Sequence, residues 1–327
     1  VAGAYRAKGA GADGSGIYWI GGMSDPSNGQ GSSELQRILT KTGAWERLTT
    51  VSGFDSRVFA SAAYDPVHDV IWVVGGVSQC KLTDVLAGTP CNARPMATQY
   101  LSWDATTGEP KWNTLSGGDQ SIFGASLVYD APRARMILFG GTSNIQSGKD
   151  DVKALDLSDA DVTKAKWSTL NPTGTGPSSF FHGGAFFAAQ NWLVVFGGST
   201  RNFMQSNETN ANKTYGLNLA VSPPAWVDLN PQGSPGTRVG GGMEYSAKHS
   251  AAVFVLGRDK FQAGDPLPSQ RIQRTTWGLT CSVSTATATT PAPMTTVPPS
   301  GTATTPAPIT TTPPPQPLPS EVCDYTK

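Results

Sequence analysis

The sequence predicts an all-β fold made of five repeats of one four-stranded unit. Four short apolar runs each end in two glycines, at Gly21-Gly22, Gly75-Gly76, Gly140-Gly141 and Gly197-Gly198. A fifth run ends at Gly257, where Arg258 replaces the second glycine. A tryptophan follows each of the first four pairs, at Trp45, Trp112, Trp167 and Trp226. Elements in a fixed order, at spacings of roughly 50 to 65 residues, indicate a repeat architecture.

Two further short elements complete each repeat. The first precedes the glycines, at residues 2–5, 59–65, 123–130, 181–187 and 239–245. The other lies between the glycines and the tryptophan, at residues 35–39, 99–103, 152–157, 214–219 and 276–279. All are rich in β-branched or aromatic residues and are bounded by Gly, Pro, Asp or Asn, which is typical of strands and turns. Each repeat is therefore predicted to be a four-stranded antiparallel meander.

The second strand of each unit is apolar at nearly every position, so it should be buried on both faces. Glycine permits neighbouring sheets to approach closely and allows φ > 0. A ring of such sheets is a β-propeller, and we predict five blades followed by an extended Pro/Thr-rich tail. We expect blade boundaries after Leu48, Leu115, Leu170 and Leu229, with the tryptophans packed between blades. An all-β sandwich in which the glycine pairs occur by chance is the alternative.

This order of elements resembles the kelch repeat. The shared features are an apolar strand, Gly-Gly, a variable loop, a third strand with an aromatic residue, and a tryptophan that opens the fourth strand. The resemblance covers residues 1 to about 280 and implies a kelch-like β-propeller domain over 1–280. The sequence departs from the pattern at Arg258, and five units are fewer than the six or seven usual for kelch propellers.

The remaining segment, 281–327, has the composition of a glycosylated tail. Residues 284–320 contain 12 Thr, 11 Pro and 3 Ser and no charged residue. Such a segment cannot form a packed core, and its prolines favour polyproline II. Ser/Thr-rich sequence with Pro is typical of O-glycosylated stalks, although an unmodified linker is the alternative. The candidate O-glycosylation sites are Thr285, Thr287, Thr289, Thr290, Thr295, Thr296, Thr302, Thr304, Thr305, Thr310, Thr311 and Thr312.

Two further features indicate an extracellular or cell-surface location. Asn207 and Asn212 each begin an Asn-X-Thr sequon and are predicted N-glycosylation sites. The four cysteines lack zinc-site spacing, and Cys80 and Cys91 lie in one loop, which suits a local disulfide. The pairing of Cys281 and Cys323 stays open between an intrachain and an intermolecular bond. A straight polyproline stalk between them would span about 130 Å, so it excludes an intrachain bond.

Composition argues against several function classes. The formal net charge is zero, which leaves no basic face for nucleic acid. No apolar run is long enough for a membrane helix, so no membrane insertion is expected. The three histidines, His68, His182 and His249, are better interpreted as turn or core residues than as metal ligands. We therefore predict a non-enzyme with no catalytic residue, cofactor or metal, and solvated carboxylates at 150–151, 159 and 161.

Function is expected on the loops between second and third strands, at 23–34, 77–97, 142–150, 199–213 and 258–270, all on one face. The favoured hypothesis is an extracellular structural glycoprotein: a propeller bead with a glycosylated stalk that self-associates in a coat or fibre. The alternative is a secreted or surface-tethered module that recognises a glycan or protein through these loops.

Blade five is incomplete in the sequence pattern. Trp277 aligns with third strands, and no later tryptophan opens a fourth strand. The candidates for the missing strand are residues 281–287 of the same chain or a segment of a neighbouring molecule. An unfilled sheet edge invites strand addition, so we expect self-association through the blade-five edge and the 281–327 tail.

Overall fold

The computed structural model describes residues 2–7, 15–25, 28–48, 51–81, 95–144, 146–201, 212–257, 275–283 and 321–326. These residues form five four-stranded antiparallel sheets arranged as the blades of a propeller. The predicted fold class is therefore confirmed. One sheet ends and the next begins at each blade boundary that the sequence predicted, after Leu48, Leu115, Leu170 and Leu229.

The strands follow one another outward from the propeller axis in each blade. Blade one contains β1 (Ala2–Arg6), β2 (Gly16–Ile20), β5 (Leu35–Leu39) and β6 (Trp45–Arg47), with a small hairpin of β3 (Met23–Asp25) and β4 (Gln30–Gly31). Blade two contains β7 (Ser61–Asp65), β8 (Val70–Val74), β9 (Gln99–Trp103) and β10 (Pro110–Thr114). Blade three contains β11 (Ser126–Asp130), β12 (Arg135–Phe139), β13 (Val152–Asp156) and β14 (Lys166–Leu170).

Blade four contains β15 (Gly183–Phe187), β16 (Trp192–Phe196), β17 (Thr214–Asn218) and β18 (Ala225–Asp228). Blade five contains β19 (Gly242–Ser246), β20 (Ala251–Val255), β21 (Thr276–Val283) and β22 (Glu321–Thr326). Two single-turn 3-10 helices, Ala131–Arg133 and Val162–Lys164, lie in connections of blade three.

The fourth strand of blade five corrects the sequence prediction. It is β22, from the end of the chain, and neither 281–287 nor a neighbouring molecule is needed. Residues 281–283 extend the third strand instead, and a disulfide joins Cys281 to Cys323 where the two strands face each other. Their Cα atoms lie 4.2 Å apart, so the tail is a loop with both ends fixed rather than a straight stalk. The predicted boundary at residue 280 therefore falls inside a blade.

The glycine pairs join each blade to the next. The second glycine donates a backbone hydrogen bond to a carbonyl of the following blade, and the four bonds are Gly22 to Arg57, Gly76 to Ile122, Gly141 to Ser179 and Gly198 to Arg238. The first glycine adopts positive φ, for example 67° at Gly21 and 69° at Gly140. A Cβ at Gly140 would lie 2.5 Å from the Ser179 carbonyl oxygen, so only glycine fits there.

Apolar cores fill the spaces between successive blades. Separate buried clusters join blades one and two, two and three, three and four, and four and five. In each second strand, alternate residues face the preceding and the following blade, as the strand period of two requires. This explains why these strands are apolar throughout: β8 and β16 are buried at all five positions.

Among the described residues, no such cluster joins blade five to blade one. Ile17 of β2 is 37% exposed, whereas the equivalent residues that face the preceding blade are fully buried: Ile71, Met136, Leu193 and Ala252. Val253 of β20 is likewise 37% exposed, whereas the equivalent residues that face the following blade are buried: Tyr18, Trp72, Ile137 and Val194. In the part of the chain that the structure describes, the ring therefore has an open gap between blades one and five, which we call the seam.

Candidate functional site

The five inner strands surround a central cavity of about 430 Å³. The fourth position of each inner strand carries an aromatic side chain, and the set is Tyr5, Tyr64, Tyr129, Phe186 and Tyr245. The first three positions are mostly Gly, Ala or Ser, for example in β1, β7 and β15. Small residues keep the channel open, and the aromatic residues form one layer near its end.

The channel is narrowed at the end where the inner strands begin, which we call the loop face because it also carries the glycine pairs. Four equivalent residues have positive φ there: Phe59, Gly124, Phe181 and Gly240. Backbone hydrogen bonds of 2.7 to 3.0 Å run from Gly240 to Phe181, from Phe181 to Gly124 and from Gly124 to Phe59. The rings of Phe59 and Phe181 pack edge to face with centroids 4.9 Å apart. This end is thus rigid, apolar and closely linked across blades two to five.

His182 lies just below this layer, immediately before β15, and is buried. Its Nε2 is 3.0 Å from the Ser126 hydroxyl, and both residues line the channel. Nδ1 makes no hydrogen bond of normal geometry. Burial lowers the His182 pKa to about 4, although the nearby Ser179 backbone favours the protonated ring. His182 is therefore a neutral core residue at neutral pH, hydrogen-bonded to a hydroxyl.

The opposite end of the channel carries charge. Arg6 forms a 2.6 Å ion pair with Asp69 of blade two, and the Tyr64 hydroxyl donates to the same carboxylate at 2.8 Å. Burial, followed by the charge of Asp65, raises the pKa of Tyr129. Glu244, the third residue of β19, also lines the channel; its side chain is exposed to the channel, and its partial desolvation by the surrounding strands raises the pKa of its carboxyl group. Tyr64, Tyr129 and Glu244 thus give the channel lining polar atoms, while Arg6 is buried and its ion pair joins blades one and two.

Catalytic geometry is not evident in the described residues. His68 lies in the turn after β7, as predicted, and its Nδ1 is 2.5 Å from the Asp65 carboxylate. Its Nε2 is 3.1 Å from the backbone oxygen of Asp159, so both ring nitrogens have partners outside the His182–Ser126 pair. Within the described ranges, no three His, Cys, Asp or Glu side chains cluster as metal ligands, and no helix could cross a bilayer.

The predicted functional loops are partly described, and those of neighbouring blades contact one another. Gln30 pairs with Gln79, and the Cys80 amide donates a 2.8 Å hydrogen bond to Gly29. Ser147 pairs in the same way with Arg201. Residues 82–94, 202–211 and 258–274 lie outside the described residues, so the rest of loops 77–97, 199–213 and 258–270 stays a prediction.

Predicted modification sites are placed only in part. Asn212 is exposed two residues before β17, while Asn207 lies outside the described residues. The twelve candidate threonines, which all fall within 284–320, also lie outside. Cys80 is buried and disulfide-bonded, and Cys91 lies outside the described residues.

The fourth-strand tryptophans separate into two groups. Trp112, Trp167 and Trp226 pack against the preceding blade, as predicted. The prediction is wrong for Trp45, which is 60% exposed and stacks on Trp19 with ring centroids 4.7 Å apart. Blade one has no preceding blade against it, so its tryptophan is left uncovered.

Sequence reasoning missed the wall that Trp45 belongs to. Tyr5, Ile17, Ile38 and Trp45 lie side by side across the four strands of blade one. We call these residues together with Trp19 the blade-one wall. A comparison of the five repeats could have indicated these residues, because the equivalent residues of the other four blades face the preceding blade. The open ring could not be inferred from one repeat alone.

No protein-family model matches the chain. Among solved structures, the chain is similar to that of YjhT, with a TM-score of 0.55 and 14% sequence identity. The match covers 81% of this chain and 78% of YjhT. At this level of identity the similarity supports the propeller fold alone.

Proposed function

We propose that the chain is an extracellular kelch-type propeller glycoprotein with a structural role, acting as a bead in a cell-surface coat or fibre. The main support is the Cys281–Cys323 disulfide, because it places both ends of the Thr/Pro segment on the outermost pair of strands of blade five. Structural disulfides persist in oxidising compartments and are rare in the cytosol. The glycine-pair pattern supports the kelch assignment.

In this proposal the tail is a peripheral loop rather than a stalk. Residues 284–320 leave from Val283 and return at Glu321, and the disulfide holds these strands together. O-linked sugars on its threonines would surround one edge of the bead with a hydrated layer. N-glycans at Asn207 and Asn212 would add to the loop face. Self-association remains part of the proposal, although the blade-five edge no longer provides its basis.

A binding module is the second candidate. The observation that favours it is the pairing of loops on the loop face, between Gln30 and Gln79 and between Ser147 and Arg201. Paired loops present a more rigid surface than isolated ones. Such a surface suits recognition of a glycan or a protein.

Intact mass of the native protein, with and without enzymatic deglycosylation, tests the proposal. We expect added mass that maps to Asn207, to Asn212 and to the threonines of 284–320, and a Cys281–Cys323 peptide that separates only on reduction. Bare peptides at all of these positions would refute the glycoprotein assignment. Negative-stain images of native material separate the two candidates: polymers support the structural role, and isolated particles that bind a glycan array support the binding module.

A further inference from the structure

The seam has two walls of different chemistry. The blade-one wall is apolar and aromatic, with Tyr5 51% exposed beside the Trp19–Trp45 stack. Gln36 and Arg47, in register with Trp19, lie next to it on the same face. The blade-five wall is β-branched and polar, and its exposed residues are Val253, Thr276, Thr280, Asp324 and Thr326. In blades two to five, the preceding blade covers the equivalent residues. An exposed cluster of aromatic residues at this position of blade one therefore indicates a surface that is covered when the protein functions.

The tail begins and ends on the two outer strands of blade five, whose other residues form part of one wall of the seam. Its described ends are Val283 of β21 and Glu321 of β22, the two strands that supply Thr280, Asp324 and Thr326 to the blade-five wall. Residues 313–319 read PPPQPLP, contain no threonine for O-glycosylation, and end two residues before β22. At about 3.1 Å per residue in polyproline II, the eight residues from 313 to 320 span about 25 Å. Packed sheets lie only about 10 Å apart, so this segment can reach across the seam.

We propose that the blade-one wall binds the proline-dense segment 313–319 of the same chain. Proline-rich segments in polyproline II dock into grooves lined by aromatic residues, because the helix is preformed and loses little entropy. Tyr5, Trp19 and Trp45 provide such a surface. Arg47 lies beside Trp19 on the same face but is paired with Glu34, so it places no unpaired charge against the uncharged segment. The segment thereby covers the apolar face that the preceding blade covers elsewhere in the propeller.

A second copy of the chain fits this wall less well. A sheet of four strands, each five residues long, covers about 300 Å², from strand spacings of about 4.8 Å and 3.3 Å per residue. Two such walls pressed together would bury about 600 Å² in total, roughly half of what a stable interface needs. A segment of the same chain requires less area, because its tether gives it a high effective concentration.

Hydroxyl-radical footprinting of the full chain tests this proposal. The test variant carries Pro→Ser changes at 313, 314, 315, 317 and 319. The matched control carries five Pro→Ser changes at 291, 293, 298, 299 and 306. We expect modification of Tyr5 and Trp45 to rise at least threefold in the test variant only, while buried Trp112 stays unchanged as a marker of folding.

Equal modification of Tyr5 and Trp45 in the unsubstituted chain, the test variant and the control variant would overturn the proposal. The measurement is repeated at several protein concentrations, with the mass determined by analytical ultracentrifugation. Protection that persists in the monomer on dilution supports binding within one chain. Protection that disappears as a dimer or polymer dissociates would overturn it, because the occupant would then be a second molecule.

Discussion

The backbone amide of Gly141 donates a 2.7 Å hydrogen bond to the carbonyl oxygen of Ser179, and so joins blade three to blade four. The equivalent bond recurs at the three other filled blade boundaries. The second glycine is thus a connector between blades, and the first glycine makes room for the carbonyl. In blade five, Arg258 replaces the second glycine in the sequence and lies outside the described residues.

The glycine pairs should be far more sensitive to substitution than turn glycines with the same backbone conformation. Gly140 and Gly117 both have φ of 69°, but a Cβ at Gly117 would meet nothing within 4 Å. We expect Gly117→Ala to lower the free energy of unfolding by about 1 kcal/mol, the cost of the left-handed conformation. Gly140→Ala should cost at least about 3 kcal/mol, because Ser179 must also move. Urea denaturation measures both, and equal costs would contradict the steric explanation.

The seam can be tested by truncating equivalent isoleucines. Ile71→Ala removes a fully buried side chain between blades one and two, so we expect a loss of about 3 kcal/mol in unfolding free energy. Ile17→Ala removes a side chain that is 37% exposed, and should cost about 1 kcal/mol. A docked proline-rich segment would pack less tightly on Ile17 than a whole blade does on Ile71. Comparable losses at both positions would therefore show that another sheet packs against blade one.

The disulfide should be needed to hold β22 in blade five. It closes a loop with a sequence separation of 42 residues, and the loss of such a cross-link costs about 4 kcal/mol in the chain-entropy description. In the double variant Cys281→Ser/Cys323→Ser, we expect faster amide exchange in β21 and β22. Exchange in β12 of blade three serves as the internal control. Unchanged protection of β22 would mean that strand pairing alone holds the end of the chain.

His182 should make stability depend on pH below neutrality. Its pKa is about 4 in the folded chain against 6.5 for the ordinary group, so the unfolded state binds the proton more tightly. The contribution of His182 to the free energy of unfolding is therefore fully present above pH 6.5. It is lost as the pH drops towards 4, and the loss is about 3 kcal/mol at most. Between pH 7 and pH 4, we expect the free energy of unfolding of His182→Gln to fall by about 3 kcal/mol less than that of the unsubstituted protein. The matched control is His249→Gln, because His249 lies in an exposed turn. If the free energy of unfolding of the unsubstituted protein and of both variants changed equally with pH, the prediction would be contradicted.

Arg57 should be essential to the contact between blades one and two. Its guanidinium is fully buried and donates to the carbonyls of Gly75 and Ala97 and to the Gln99 side chain. Burial lowers the pKa of Arg57 to about 10, so it stays charged at neutral pH. We expect Arg57→Ala to cost about 3 kcal/mol or more in unfolding free energy, because these acceptors lose their donors. Arg47→Ala, at an exposed ion pair, should change it by less than about 1 kcal/mol.

The sequence predicted the blades because each repeat carries its own markers. The apolar second strand, the glycine pair and the tryptophan are all local, and they recur five times with few losses. β22 carries no such marker: it follows a long Thr/Pro segment, and only its pairing with β21 identifies it. The exposure of Trp45 was equally hidden, because it depends on how five sheets close around an axis. The burial of His182 beside Ser126 joins residues of two blades, which no pattern within one repeat reveals.

The open seam changes how cooperative the fold should be. Five blades with four filled interfaces form a linear array bent into an arc, and each terminal blade has a single neighbour. In such an array, stability is approximately the sum of unit and nearest-neighbour contributions, and unfolding starts at the ends. A cross-link fastens the outer strand of blade five, whereas the described residues give blade one no covalent restraint, only the non-covalent contact that we propose with segment 313–319. Fraying should therefore travel in one direction, from the amino-terminal blade towards the carboxy-terminal one.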